Sequence, residues 1–245
     1  MKKVGNGADW AEAEAVLAAL WAAFDELAQG LGSACAPGCP ACCSDRVQAT
    51  GLEAKVLAVH LRAQGRDDLL RALSRPAAGP AARPAATMNA LARLCLAGQE
   101  PPAEPFPAVV PGVCPLLSDG LCQAYAVRPL ACRVMLSRRP CPPGGWAEQD
   151  PWWVSLGAAF FQLVEQAGAG GPFGLLGEVL YALDSPGQAG LLVCENLPGI
   201  PAPPEHQARL GEVLRQVFAR PCQGRPLGWW LQRLRASEEG GPGAA

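Results

Sequence analysis

Apolar side chains first recur with helical spacing between Asp9 and Gly30, where Trp10, Val16, Leu17, Leu20, Trp21, Phe24 and Leu27 share a face. Asp9 is placed to cap that helix, and Gly30 to end it. The next periodic stretch opens at Thr50-Gly51-Leu52-Glu53, the spacing of a capping box, and runs to about Gln64 with Val56, Leu57, His60 and Leu61 on one face. Two short helices are expected over 67–74 and 87–96, separated by an Ala/Pro-rich connector. Cys95, set among Leu91, Leu94 and Leu96, is expected in the core as a small hydrophobe.

Two stretches break the periodicity. In 35–43, Pro37, Gly38 and Pro40 stop helix continuation and favour turns. Residues 99–115 hold six prolines and read as a stiff linker, the PxxP match at Pro102-Ala103-Glu104-Pro105 included. Then Leu116 and Leu117, Ser118-Asp119-Gly120, and Leu121 predict a small hairpin whose turn brings Cys114 and Cys122 towards each other. Arg128-Pro129 opens a short helix or turn carrying Cys132 and Arg133, and Pro142-Pro143-Gly144-Gly145 is a break.

Further helices are expected from the Asp150-Pro151 cap through Leu163, over 175–183 and 204–218, and over 227–234. The apolar run 191–194 is either a strand or a buried turn, and a Gly-rich tail from Glu238 is expected to be disordered. The pattern therefore predicts a mainly α protein, an irregular helical domain with a cysteine-rich loop and small hairpin as a metal-binding centre. Its segments are an N-terminal helix in 1–34, a cysteine-cluster region in 35–141, a C-terminal helical cap in 142–237 and a tail in 238–245, in one domain overall.

With 245 residues, half of them hydrophobic, the chain can bury a sizeable core. A net charge of −2 with its Arg residues dispersed gives no electrostatic footprint for nucleic acid or an anionic membrane. The first residues carry no secretory apolar region and no uncharged run reaches membrane-spanning length, so the cytoplasm is expected. There, eleven cysteines argue against a disulfide framework and for metal ligation.

Eight of them are clustered: Cys35, Cys39, Cys42 and Cys43, then Cys114, Cys122, Cys132 and Cys141. Thiolates without histidine suit zinc or an iron-sulfur cluster and exclude magnesium and calcium. His60 and His206 are remote from each other and from this set, and His60 reads as a half-buried side chain with one hydrogen-bond partner. Adjacent Cys42 and Cys43 diverge, so they belong to two nearby centres, or one of them supports rather than ligates. Arg46, Arg128, Arg133, Arg138 and Arg139 lie beside the thiols in sequence and would offset thiolate charge. Cys95, Cys194 and Cys222 fall outside the cluster.

The series Cys-x3-Cys-x2-Cys-Cys, Thr-x-x-Glu, then Cys-Pro-Leu-Leu-x4-Cys-x2-Tyr-x2-Arg-Pro-x2-Cys-Arg resembles the YkgJ-type cysteine-cluster family, described as zinc- or iron-chelating domains. The resemblance covers roughly 35–141. It implies that the eight clustered cysteines form the family's metal site, with Tyr125, Arg128, Pro129 and Arg133 on motif positions and an iron-sulfur cluster preferred to zinc as cofactor. Because the family includes flagellin lysine N-methylases, it also implies a protein-modifying enzyme as an alternative. The Cys35-x3-Cys39-x2-Cys42 spacing separately resembles radical S-adenosylmethionine enzymes, but Ala41 stands where an aromatic is usual and no barrel pattern is visible. Gly168-Ala169-Gly170-Gly171-Pro172 is the only Gly-rich candidate for a methyl-donor site and reads instead as an interhelical turn. A zinc-stabilised interaction module is the remaining alternative. Metal ions are the expected partners, and a protein partner is open and unidentified.

Overall fold

A computed structural model describes residues 9–36, 38–74, 83–103, 111–142, 147–184 and 190–235. Most of the connector expected after residue 74, the end of the Pro102–Pro105 match, the break from Pro143 and the tail from Glu238 lie outside the described residues.

Helix α1 (Trp10–Gln29) starts where Asp9 accepts a hydrogen bond from the Ala11 amide at 2.8 Å. Strand β1 (Gln48–Thr50) leads directly into α2 (Gly51–Ala63), whose Thr50–Glu53 capping box is complete. Helices α3 (Asp67–Leu73) and α4 (Met88–Leu96) follow, α4 capped by Thr87. Strands β2 (Leu117–Ser118) and β3 (Leu121–Cys122) make the predicted hairpin. Its two turn residues, Asp119 and Gly120, have φ of 51° and 77°, the left-handed pair that a two-residue hairpin requires. A 3-10 turn (Tyr125–Val127) precedes α5 (Leu130–Arg133).

The C-terminal part comprises α6 (Pro151–Ala167), β4 (Pro172–Leu175), α7 (Leu176–Asp184), β5 (Leu192–Val193), α8 (Pro204–Ala219), the β6 (Pro221–Cys222) and β7 (Arg225–Pro226) hairpin, and α9 (Leu227–Arg233). The protein is mainly α, with three small antiparallel sheets among the described residues. The largest orders its strands β1-β4-β5, pairing Ala49 with Gly174 and Phe173 with Leu192.

Two apolar clusters organise these elements. The larger joins α1, α6, α8 and α9 around Phe24, Leu17, Phe160, Leu163 and Leu227, with Phe24 and Phe160 edge to face at 5.2 Å. The smaller gathers Leu57, Leu61, Leu70, Val179 and Leu180 under the cysteine hairpin, whose Leu116 and Ala124 are buried in it. Helix α2 lies between them, giving Leu52 and Val56 to the first and Ala54, Leu57 and Leu61 to the second. The site therefore rests on the element that couples the two cores.

The expected helices are present, their ends within a residue or two except that α6 runs four residues past Leu163 to Ala167, and two other expectations differ. The segment 172–175 is a strand, so the glycine run 168–171 connects a helix to a strand and not two helices. Cys95 is exposed, contrary to the expectation of a core thiol. The last turn of α4 projects beyond the body it packs on: Asn89 and Ala92 are buried while Leu96 is 56 % exposed. Cys194 and Cys222 are buried. Among the described residues, no helix is long and apolar enough to cross a membrane.

Candidate metal centre

The loop from Cys35 to Cys43 is held at both ends by the second cysteine segment. At its start, the Ala34 amide donates to Ser137 O at 2.8 Å, and the Ser137 amide donates to Cys35 Sγ at 3.3 Å. The same sulfur donates to Met135 O at 3.7 Å. At its end, the Cys114 amide donates to Cys43 O at 3.2 Å and the Asp45 amide to Gly112 O at 2.9 Å, while Ser44 and Val113 form an antiparallel bridge. Asp45 Oδ1 also accepts from the Gly112 amide at 2.9 Å. Between these anchors, the hairpin tip at Gly120 lies against the Gly38 carbonyl. The first thiol loop is thus laid across the second set.

Local turns display the sulfurs. Amides of Cys39 and Cys43 close turns onto Ala36 O and Pro40 O at 3.1 and 2.9 Å. Register places Cys122 opposite Leu117, whose amide bonds Cys114 O at 3.0 Å, so the hairpin turns Cys122 on β3 back towards Cys114, three residues ahead of Leu117. Cys35, Cys39 and Cys42 are exposed, whereas Cys43, Cys114, Cys122, Cys132 and Cys141 are half-buried, and none is in a disulfide.

The thiols sense one another. Burial pushes the Cys42 thiol up to about 11, and the charges of Cys43, Cys35 and Cys39 push the same way. Cys42 is exposed as a residue, yet its sulfur has lost enough water among its neighbours to disfavour the thiolate. Cys132 is pushed strongly upward by burial and then by Cys114, Cys122, Cys42 and Cys43. Cys43 rises by burial and by Cys114, Cys122 and Cys39, and Cys114 by burial and by Cys122 and Asp45. Sulfurs from both sets therefore lie within electrostatic reach, each making its neighbours harder to ionise. A bound cation reverses that repulsion, which is why soft metals deprotonate clustered thiols outright.

By donor chemistry the set fits a thiolate-bound zinc or iron-sulfur group. By placement it is not closed: among the described residues, no group of three or more His, Cys, Asp or Glu side chains stands where it could hold an ion. The two sets meet through backbone contacts.

Cationic neighbours divide into two kinds. Arg133 is buried, donating Nε to Arg128 O at 2.9 Å and Nη2 to Ala126 O at 2.8 Å, pairing through Nη1 with Asp25, and lying 4.5 Å over the Trp21 ring. Burial lowers its affinity for its proton, and Asp25 offsets part of that loss. Arg128 donates to Tyr125 O at 2.8 Å, stacks on the Tyr125 ring at 3.8 Å, and approaches Asp25 at 3.6 Å. Arg46 lies 3.7 Å from Asp45, and its Nε and Nη1 are buried with no hydrogen-bond partner among the described residues. Arg138 and Arg139 reach outward to Asp150 and Glu148, each at 3.6 Å. His60 meets Gln64 at 3.0 Å and His206 meets Ser155 at 2.8 Å, so neither histidine is spent at the thiols.

Sequence reasoning missed Asp25, Ser137 and the second role of Glu53. The only signal for Asp25 was an acidic residue one turn beyond Trp21 in α1. Ser137 gave no signal, because its amide is what touches Cys35. Glu53 Oε2 accepts from the Thr50 amide at 2.9 Å and from the Thr50 hydroxyl at 3.1 Å, while its Oε1 accepts from the Leu130 amide at 2.7 Å.

In comparisons with protein families, with curated proteins and with solved structures, nothing matches this chain.

Proposed function

We propose that this chain is a cysteine-cluster metalloprotein of the YkgJ type, binding an iron-sulfur cluster, or else zinc, through thiolates drawn from Cys35, Cys39, Cys42, Cys43, Cys114, Cys122, Cys132 and Cys141. The observation that carries the reading is the double anchoring of the first thiol loop on the second, at Ala34–Ser137 and at Cys43–Cys114. Residues 71 and 103 positions apart in the chain need no such meeting for packing alone, because the described residues of the loop are mostly exposed and bury little. In this reading Arg133, Arg128 and Tyr125 hold the chain that carries Cys132, and ligation would gather the thiols of the two sets around the bound group. Bound iron and sulfide would supply electron transfer or Lewis acidity, whereas bound zinc would supply a structural crosslink.

The reaction is unassigned, and a protein-modifying enzyme and a zinc-stabilised interaction module remain the alternatives. The cytoplasm is the proposed compartment, since it keeps such thiols reduced. Metal analysis of anaerobically purified protein tests the proposal. Brown protein containing iron and sulfide supports the cluster, and colourless protein with stoichiometric zinc supports the module. Protein that takes up neither after reduction and reconstitution overturns the metal reading.

A further inference from the structure

Resting on that metal reading, we propose that Glu53 is a positioning residue for the centre: one buried carboxylate that clamps the helix bearing Cys132 to the chain leaving the first thiol loop. Glu53 is 3 % exposed and each of its oxygens serves a different segment. Oε2 takes the Thr50 amide and hydroxyl at the junction of β1 and α2, seven residues after Cys43. Oε1 takes the Leu130 amide at 2.7 Å, at the first residue of α5 and two before Cys132. A capping box needs only the first of these contacts. The second satisfies an orphan donor at the start of a four-residue helix that has no side-chain cap of its own.

The clamp works on prepared ground. Thr50 is 2 % exposed and Leu130 fully buried, so water cannot replace either contact cheaply. Arg133, one residue past Cys132, fixes the other end of the same short helix to Ala126 O and Arg128 O. Cys132 is thereby held from both sides, with its distance from the Cys43 segment passing through one side chain. A glutamine at 53 keeps one acceptor oxygen and turns an amide donor towards whichever backbone amide is left, so it cannot make both contacts.

The test uses the full-length, reduced chain with Co2+ as the probe, followed by its thiolate-to-metal absorption. Glu53→Gln should weaken cobalt binding about tenfold or more, in the range known for partners that orient metal ligands. Thr50→Val removes the cap hydroxyl but leaves the Leu130 contact, and should stay within about twofold of the parent affinity while losing cap stability. Equal weakening in both variants, or parental affinity in Glu53→Gln, overturns the proposal. Amide hydrogen exchange on the metal-free wild type, which requires no variant to fold, gives a second reading. Leu130 should be protected although it lies in a first helical turn, and rapid exchange there sinks the clamp. Absence of cobalt binding by the wild type with Leu130 still protected overturns the metal reading, and with it the role towards a metal, but leaves the clamp standing.

Discussion

Raising the pH from 5 to 8 should destabilise this fold by about 2.5 kcal/mol through Glu165 alone. Glu165 lies within α6 at 1 % exposure, where burial pushes its carboxyl up to about 7 despite amides of Asn89 and Glu195 donating to it at 2.8 and 2.7 Å. Thr87, the Met88 amide and the charge of Arg93 also pull it down, so burial is the stronger effect. Below about pH 4.5 the group is protonated in both folded and unfolded chains and contributes nothing. Between 4.5 and 7 the unfolded chain releases the proton and the folded chain keeps it, so stability falls, and the loss is complete above about 7. Moving a carboxyl from 4.5 to about 7 corresponds to about 3 kcal/mol at 1.36 kcal/mol per tenfold.

Glu165→Gln removes this titration at the cost of a fixed offset, since its amide group must face one of the two backbone donors. Urea unfolding of the reduced, metal-free wild type and variant at half-unit intervals from pH 5 to 8 isolates the effect, because the thiols titrate alike in both. The difference between the two curves should swing by about 2.5 kcal/mol in favour of the variant as pH rises, the rest of the transition lying below pH 5. Curves that run parallel across the window refute the assignment.

Cys39→Ser and Cys122→Ser should each lose bound metal, whereas Cys95→Ser, Cys194→Ser and Cys222→Ser should keep it; equal loss in both groups, read by metal analysis, would show that the ligand set is drawn wrongly. Arg133→Met leaves Ala126 O and Arg128 O unmet and Asp25 with Arg128 as its remaining cation, and should cost about 3 kcal/mol in urea unfolding, a loss under about 1 kcal/mol meaning that solvent replaces those bonds. Phe160→Ala, at a fully buried ring against Phe24, should cost about 4 kcal/mol while leaving metal stoichiometry unchanged. Gly51→Ala would set a methyl 2.7 Å from the Pro172 ring, so it should separate β1 from β4 and expose the Thr50 amide region to faster exchange.

The helices were legible because their ends are written in local chemistry: Asp9, Thr50 with Glu53, Thr87 and Asp150 each accept from an amide two or three residues on. The hairpin was legible for the same reason, its turn needing residues that tolerate positive φ. Strands β1 and β4 were not, since three or four residues leave no periodicity and their pairing joins Ala49 to Gly174 across the chain. Cys95 misled because flanking leucines say nothing about how far a helix extends past its neighbours. At the thiols, proximity in sequence identified the candidates, but the anchoring at Ser137 and the reach of Glu53 to Leu130 are made through backbone amides, which every residue possesses.

The larger apolar cluster, around Phe24 and Phe160, takes in none of the eight clustered cysteines. In small zinc domains the chain is unfolded until its ion arrives. On the proposed metal reading, the ribosome's product should here already hold its shape, so that loading would be a later event governed by the supply of metal and reductant, and its loss an injury the cell could repair without remaking the protein.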